Sequence, residues 1–200
     1  MSSTDDTTRD AAYARRLSDL QSVRWKRALS VQRPYRWNLR RLHLGRTLDV
    51  GCGIGRNLEN LDGNGVGVDH NVEAVATCRA RGFVAYTADG FPDSADAKRG
   101  DFTSLLFAHV LEHMGRDDAT TLVREYLPYL ARPGKVVCIT PQERGHASDP
   151  THVDFMDTDA IAGIVVDCGL AVERSYSFPF PRRFGRLFTY NEFVVVATAT

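Results

Sequence analysis

The 200-residue chain has only four cysteines, and no two of them form a CxxC pair. Cys52, Cys78, Cys138 and Cys168 stand 26, 60 and 30 residues apart. That spacing excludes a cysteine-based zinc site and a compact disulfide framework. The thiols read as small buried hydrophobes of a reducing, cytoplasmic setting. No apolar run approaches the ~18 residues that span a bilayer, so no membrane partner is expected. The first ten residues are polar and acidic, unlike a signal peptide. Net charge is missing as well. Lys and Arg number 25 and Asp and Glu also 25, which leaves no overall field to attract nucleic acid.

What is present is a globular composition, 43% hydrophobic and 25% charged, on a length that suits one domain with its own core. The charge is unevenly placed. Ten basic residues lie between Arg15 and Arg46 (Arg15, Arg16, Arg24, Lys26, Arg27, Arg33, Arg36, Arg40, Arg41 and Arg46), against one acid, Asp19. Residues 1–10 read as a tail, and 11–31 as an amphipathic helix ending before Arg33-Pro34. A second short helix is expected over Trp37 to His43. Residues 1–45 thus read as a tail and helical lid ahead of a domain over 46–200. The basic segment has three readings: a solvated face with Trp25 and Trp37 packed inward, a lid over a polar acceptor, or an arginine–aromatic contact with RNA.

From Arg46 onward, strand and helix patterns alternate. Thr47 to Val50, Val66 to Asp69, Phe83 to Tyr86, Thr103 to Phe107 and Lys135 to Thr140 read as strands. A helix capped by Asn71 runs to Arg81, another spans Asp117 to Ala131, and a third spans Thr158 to Cys168. Such alternation implies an α/β fold with a parallel sheet and helices on both faces. Two last strand-like runs, Leu170 to Tyr176 and Glu192 to Ala197, have no helix between them and should pair antiparallel at one edge.

The chemistry concentrates first in Asp49-Val-Gly51-Cys52-Gly53-Ile-Gly55, a glycine turn between a strand and a helix. Glycines allow a tight turn and close approach of a ligand to free backbone amides. Twenty residues after Asp49, at the end of the next strand, Asp69 is placed to accept hydrogen bonds from ribose hydroxyls. A GxGxxG dinucleotide fingerprint would need glycine at Arg56. An acid two residues before the first glycine also suits a ligand with an ammonium and a sulfonium better than a pyrophosphate. The pattern therefore favours S-adenosylmethionine over a dinucleotide, with a ligand-free turn as the bland alternative.

Residues Thr47 to Leu61, Val66 to His70, Ala88-Asp89-Gly90, Ala108-His-Val-Leu-Glu-His113 and Arg132 to Pro141 resemble successive motifs of class I S-adenosylmethionine-dependent methyltransferases. The resemblance covers about residues 45–198. It implies a Rossmann-like seven-stranded sheet of order 3-2-1-4-5-7-6 with strand 7 antiparallel. It also implies a cofactor site of Asp49, Gly51, Cys52, Gly53, Asp69, His70, Asp89, Gly90, Ala108 and His109. Within that set, Gly51 and Gly53 would line the methionine moiety, Asp69 the ribose and Asp89 the adenine amino group. His70 would flank the adenine, and Ala108 and His109 the sulfonium end. One departure is Phe102-Thr103, where the family usually has Phe-Asp.

Methyl transfer to an oxygen needs an aligned nucleophile and a base for its proton. His109, His146 and His152 are the candidates. His109-Val-Leu-Glu112-His113 also matches the HxxEH string of inverted zinc peptidases, which requires a helix. Glu112 and His113 otherwise read as structural. The loop after strand 5 carries His146, Asp149 and His152. It reads as the source of the general base, as a divalent-ion site (Mg²⁺, with Zn²⁺ or Mn²⁺ as alternatives), or as an inert polar loop. The segment Phe178 to Phe188, aromatic and basic, reads as an acceptor wall or a homodimer contact. The expected reaction is O-methylation of a polar small molecule or saccharide, as in actinobacterial sugar O-methyltransferases including those acting on methylmannose polysaccharide. A tRNA or rRNA methyltransferase is the alternative, and a non-catalytic cofactor-binding protein a third reading.

Overall fold

A computed structural model describes residues 33–199. The expected tail over 1–10, the helix over 11–31, and Trp25 with the basic residues from Arg15 to Arg27 lie outside the described residues.

Seven strands form one sheet: β1 (Thr47–Val50), β2 (Gly65–Asp69), β3 (Ala85–Thr87), β4 (Phe102–Ala108), β5 (Leu130–Pro141), β6 (Ala171–Phe178) and β7 (Glu192–Ala199). Their order is β3-β2-β1-β4-β5-β7-β6, with β7 antiparallel to both neighbours, as the family resemblance implied. Helices α1 (residues 33–40), α2 (Arg56–Asn60), α3 (Val72–Ala80), α4 (Arg116–Tyr126), α5 (Glu143–His146) and α6 (Thr158–Asp167) accompany it.

Period-two alternation sorts the side chains of the central strands onto two faces. Leu105 and Phe107 of β4, Val136 and Cys138 of β5, and Val195 and Ala197 of β7 enter one buried cluster. On that face α4 supplies Ala119, Val123 and Tyr126, and α6 supplies Ile161, Ile164 and Val165. Leu106 and Ala108, Val137 and Ile139, and Val194 and Val196 point the other way. There they meet Leu39, Leu42 and Leu44 from α1 and the segment behind it. The central strands are thus apolar on both sides, as a sheet covered by two layers requires.

Four expectations are corrected. The second helix covers 33–40 rather than Trp37 to His43: His43 turns left-handed at φ 50°, which lets Leu42 and Leu44 both reach the sheet. Trp37 is not packed inward but is 57% exposed, stacked on Phe178 with ring centroids 6.4 Å apart. Helix α4 stops at Tyr126 instead of Ala131, because Pro128 closes a short 3-10 turn and Leu130 already pairs with Phe102. A register shift between Phe102 and Ser104 then absorbs Pro133-Gly134, so β5 begins five residues earlier than its apolar run.

Among the described residues no helix is long and apolar enough to cross a membrane. Phe107, fully buried between Val50 and Cys138, should be costly to truncate. Phe107→Ala is expected to lose about 3–5 kcal/mol in urea unfolding, against under about 1 kcal/mol for exposed Val166→Ala.

Candidate functional site

The parallel register places the ends of β1, β2, β3 and β4 at one edge. Val50 lies opposite both Val68 and Phe107, and Asp69 opposite Thr87. The chain leaves β1 through Gly51 (φ 76°) and Gly53 (φ 51°), left-handed positions where glycine carries no steric cost. A Cβ on Gly51 would stand 2.2 Å from Val110 Cγ2, so the segment after β4 packs directly on the turn. A Cβ on Gly53 would meet nothing within 4 Å: this part of the turn borders open space.

Asp69 anchors the turn from β2. Its Oδ2 accepts from the Gly53 amide at 2.7 Å and its Oδ1 from the Asn71 amide at 2.8 Å. Asn71 in turn caps α3 by accepting from the Ala74 amide at 2.9 Å. Each Asp69 oxygen keeps a second lone pair for a ligand hydroxyl. Cys52 contributes backbone only, since its side chain packs inward with Leu58, Val75 and Cys78.

Asp49 is fully buried at the end of β1. Its Oδ1 accepts from Asn57 Nδ2 at 3.3 Å, while Oδ2 is buried with no partner. Burial pushes its carboxyl up to about 7; the Asn57 donor pulls down and the Asp69 charge adds to the rise. An orphaned carboxylate oxygen beneath an open glycine turn, with a ribose-competent acid alongside, fits a ligand carrying a cationic amine and a nucleoside. His70, its side chain 82% exposed, follows Asp69. Asp89 and Gly90 are exposed on the turn after β3. Ala108 is buried at the end of β4. All ten sequence-predicted cofactor residues therefore reach the same sheet edge or the turns leaving it.

His109 turns left-handed (φ 60°) directly after β4, and only Leu111–His113 forms a 3-10 turn. The helix that HxxEH needs is not made, so the peptidase geometry is absent. His109 Nε2 lies 2.9 Å from Glu192 Oε1, and Nδ1 lies 3.3 Å from Glu112 Oε1. Burial opposes the imidazolium, but the two carboxylates outweigh it and lift His109 to about 10. A histidine held protonated is a fixed positive charge at neutral pH rather than a base. Glu192, on β7 and 83 residues away, carried no local sequence signal.

The loop after β5 brings His146 and His152 together, rings stacked with centroids 5.0 Å apart, and places His152 4.9 Å from His113. The Asp149 carboxylate accepts from the Thr151 amide and hydroxyl at 3.0 and 2.8 Å rather than from an imidazole. His146 Nδ1 is buried and unpartnered. Burial first, then the neighbouring His152, holds His146 below the ordinary histidine value of 6.5. The connection between β6 and β7 is pinned over this loop by Asn191, which bonds Gln142 Oε1 at 2.8 Å and Phe180 at both its amide and its carbonyl. Gly185 packs so closely there that a Cβ would fall 2.1 Å from Gln142 Oε1.

A family model described as a methyltransferase domain matches residues 25–175, and the chain belongs to that family. Its fold is shared with an S-adenosylmethionine-dependent methyltransferase from Archaeoglobus fulgidus: 18% identity, TM-score 0.66, covering 82% of this chain and 93% of that one. A similar enzyme from Mesorhizobium loti gives 17%, 0.60, 81% and 96%. Magnesium protoporphyrin IX methyltransferase from Synechocystis, solved with the cofactor bound, gives 15%, 0.56, 100% and 86%. No curated protein sequence matches. Family, fold and site together define an S-adenosylmethionine-dependent methyltransferase.

Two outcomes follow for the cofactor. Because Asp49 must ionise to hold a cation, S-adenosylmethionine affinity should rise more than about tenfold from pH 5.5 to pH 7 by calorimetry, and Asp49→Asn should flatten the rise. Asp69→Ala should weaken binding about 10- to 100-fold, the worth of charge-assisted hydrogen bonds to a ribose.

Proposed function

We propose that this methyltransferase acts on a hydroxyl of a polar small molecule, saccharides included, with His146 as the general base. The bound cofactor supplies an electrophilic methyl group on a sulfonium. Asp69 orients the ribose, Asp49 and the glycine turn hold the amino-acid end, and Ala108 and His109 border the reacting end. His109, kept cationic between two carboxylates, fixes the geometry at the end of β4 while His146 remains neutral and able to take a proton.

The observation that carries this reading is the half-buried His146, its Nδ1 unpartnered, on the loop that leaves β5, the strand paired with β4. A small acceptor is also favoured over RNA by what the described arginines do. Arg36 and Arg40 both bind Asp62, and Arg46 binds Asp96 and Asp101. Arg41 lies over the Trp37 ring, 4.5 Å from its centroid. Side chains spent on internal partners are poor phosphate contacts.

His146→Ala should lower kcat about 10²- to 10⁴-fold while leaving cofactor affinity nearly unchanged. Since burial and His152 hold the His146 imidazole below the ordinary histidine value of 6.5, wild-type kcat should decline on acidification with a midpoint below pH 6.5. An acceptor screen with labelled methyl donor, comparing glycosides with RNA, tests the substrate class. Label on RNA with steep salt dependence would replace this reading.

A further inference from the structure

Glu112 is fully buried, and neither of its carboxylate oxygens accepts a hydrogen bond. A buried charge in this condition costs several kcal/mol unless a cation answers it. His109 answers in part, but it is shared with Glu192. On the other side stand two more imidazoles. One ligand atom from each of Glu112, His113 and His152 lies within 4.8 Å of the others, and His152 Nε2 is 4.0 Å from Glu112 Oε1.

Both imidazoles are held in a defined orientation. His152 Nδ1 is 2.8 Å from the His146 carbonyl, which can only accept. The Nδ1 proton is therefore committed to that carbonyl, and Nε2 is the ring nitrogen that faces Glu112. His113 Nδ1 lies 3.3 Å from the Thr151 carbonyl and 3.2 Å from its hydroxyl, and that hydroxyl donates to Asp149 at 2.8 Å. Outer hydrogen bonds of this kind set the tautomer and ring orientation of metal-bound histidines.

We propose that Glu112, His113 and His152 form a binding site for a divalent transition-metal ion of the zinc type. Two nitrogens and one carboxylate suit Zn²⁺ and its neighbours, whereas Mg²⁺ prefers oxygen donors in an octahedron. Bonds of about 2.0–2.1 Å in a tetrahedron put ligands about 3.3 Å apart, so the 4.0 Å pair closes by less than an ångström and the widest pair, within 4.8 Å, by at most about 1.5 Å on loading. Three protein ligands leave a position for water or an acceptor oxygen. Glu112, one of the three ligands, also lies 3.3 Å from His109 Nδ1. Within the loop read from sequence as an ion site, His152 is a ligand, while His146 and Asp149 act behind the ligands as hydrogen-bond supports. The site needs no assumption about the acceptor.

The test uses the full chain, stripped by a chelator and titrated with Co²⁺ alone. One equivalent should bind with the strong visible absorption of a low-coordinate cobalt site, and Zn²⁺ should displace it. Glu112→Gln, nearly isosteric, and His113→Ala, at a half-buried position, should each weaken Co²⁺ binding at least about 100-fold, and Asp149→Ala about tenfold. Melting curves and S-adenosylhomocysteine binding report folding in every variant, and read the cofactor site separately from the metal site. No cobalt uptake by the wild type, uptake unaltered in folded Glu112→Gln and His113→Ala, or displacement by Mg²⁺ in preference to Zn²⁺ would overturn the proposal.

Discussion

The cofactor edge depends on how one carboxylate uses its lone pairs. Asp69 draws the Gly53 amide down from β1 with one oxygen and fixes the Asn71 amide at the head of α3 with the other. The glycine turn is therefore held by a neighbouring strand, not by its own short-range bonds alone. Left-handed backbone at Gly51 and Gly53 makes the turn sterically free, but it is the bond from Asp69 that selects one shape for it. Beside the turn, Asp49 is fully buried and one of its carboxylate oxygens is left without a hydrogen-bond partner.

Just after β4 a second buried carboxylate gathers histidines around it. The Glu112 side chain has no backbone donor, and the groups that face it are imidazoles. His109 comes from the same segment, His152 from the loop after β5, and Glu192 crosses from β7 to hold His109 in turn. His109 is shifted up and His146 down because their neighbours differ. Two carboxylates flank the first, while burial and another histidine surround the second.

Much of the fold was readable because its cause is local. The unbroken apolar run Leu105-Leu106-Phe107-Ala108 reads as a strand, and its residues divide between two clusters on opposite faces. Asn71 reads as a cap and is one. Errors fell where a local pattern met a tertiary demand. Pro128 and the pairing of Leu130 with Phe102 ended α4 early, and His43 left the helix so that Leu42 and Leu44 could both reach the sheet. Glu112 read as a packing residue because nothing in its own segment shows that both its oxygens are left without donors.

By itself the sequence determined the alternation of strands and helices, the glycine turn, and the acids at the ends of β1 and β2, since each follows from backbone sterics and spacing within some twenty residues. Only the tertiary structure decided which histidines meet which carboxylates. Those encounters join residues as far apart as His109 and Glu192, and charge acts through space rather than along the chain.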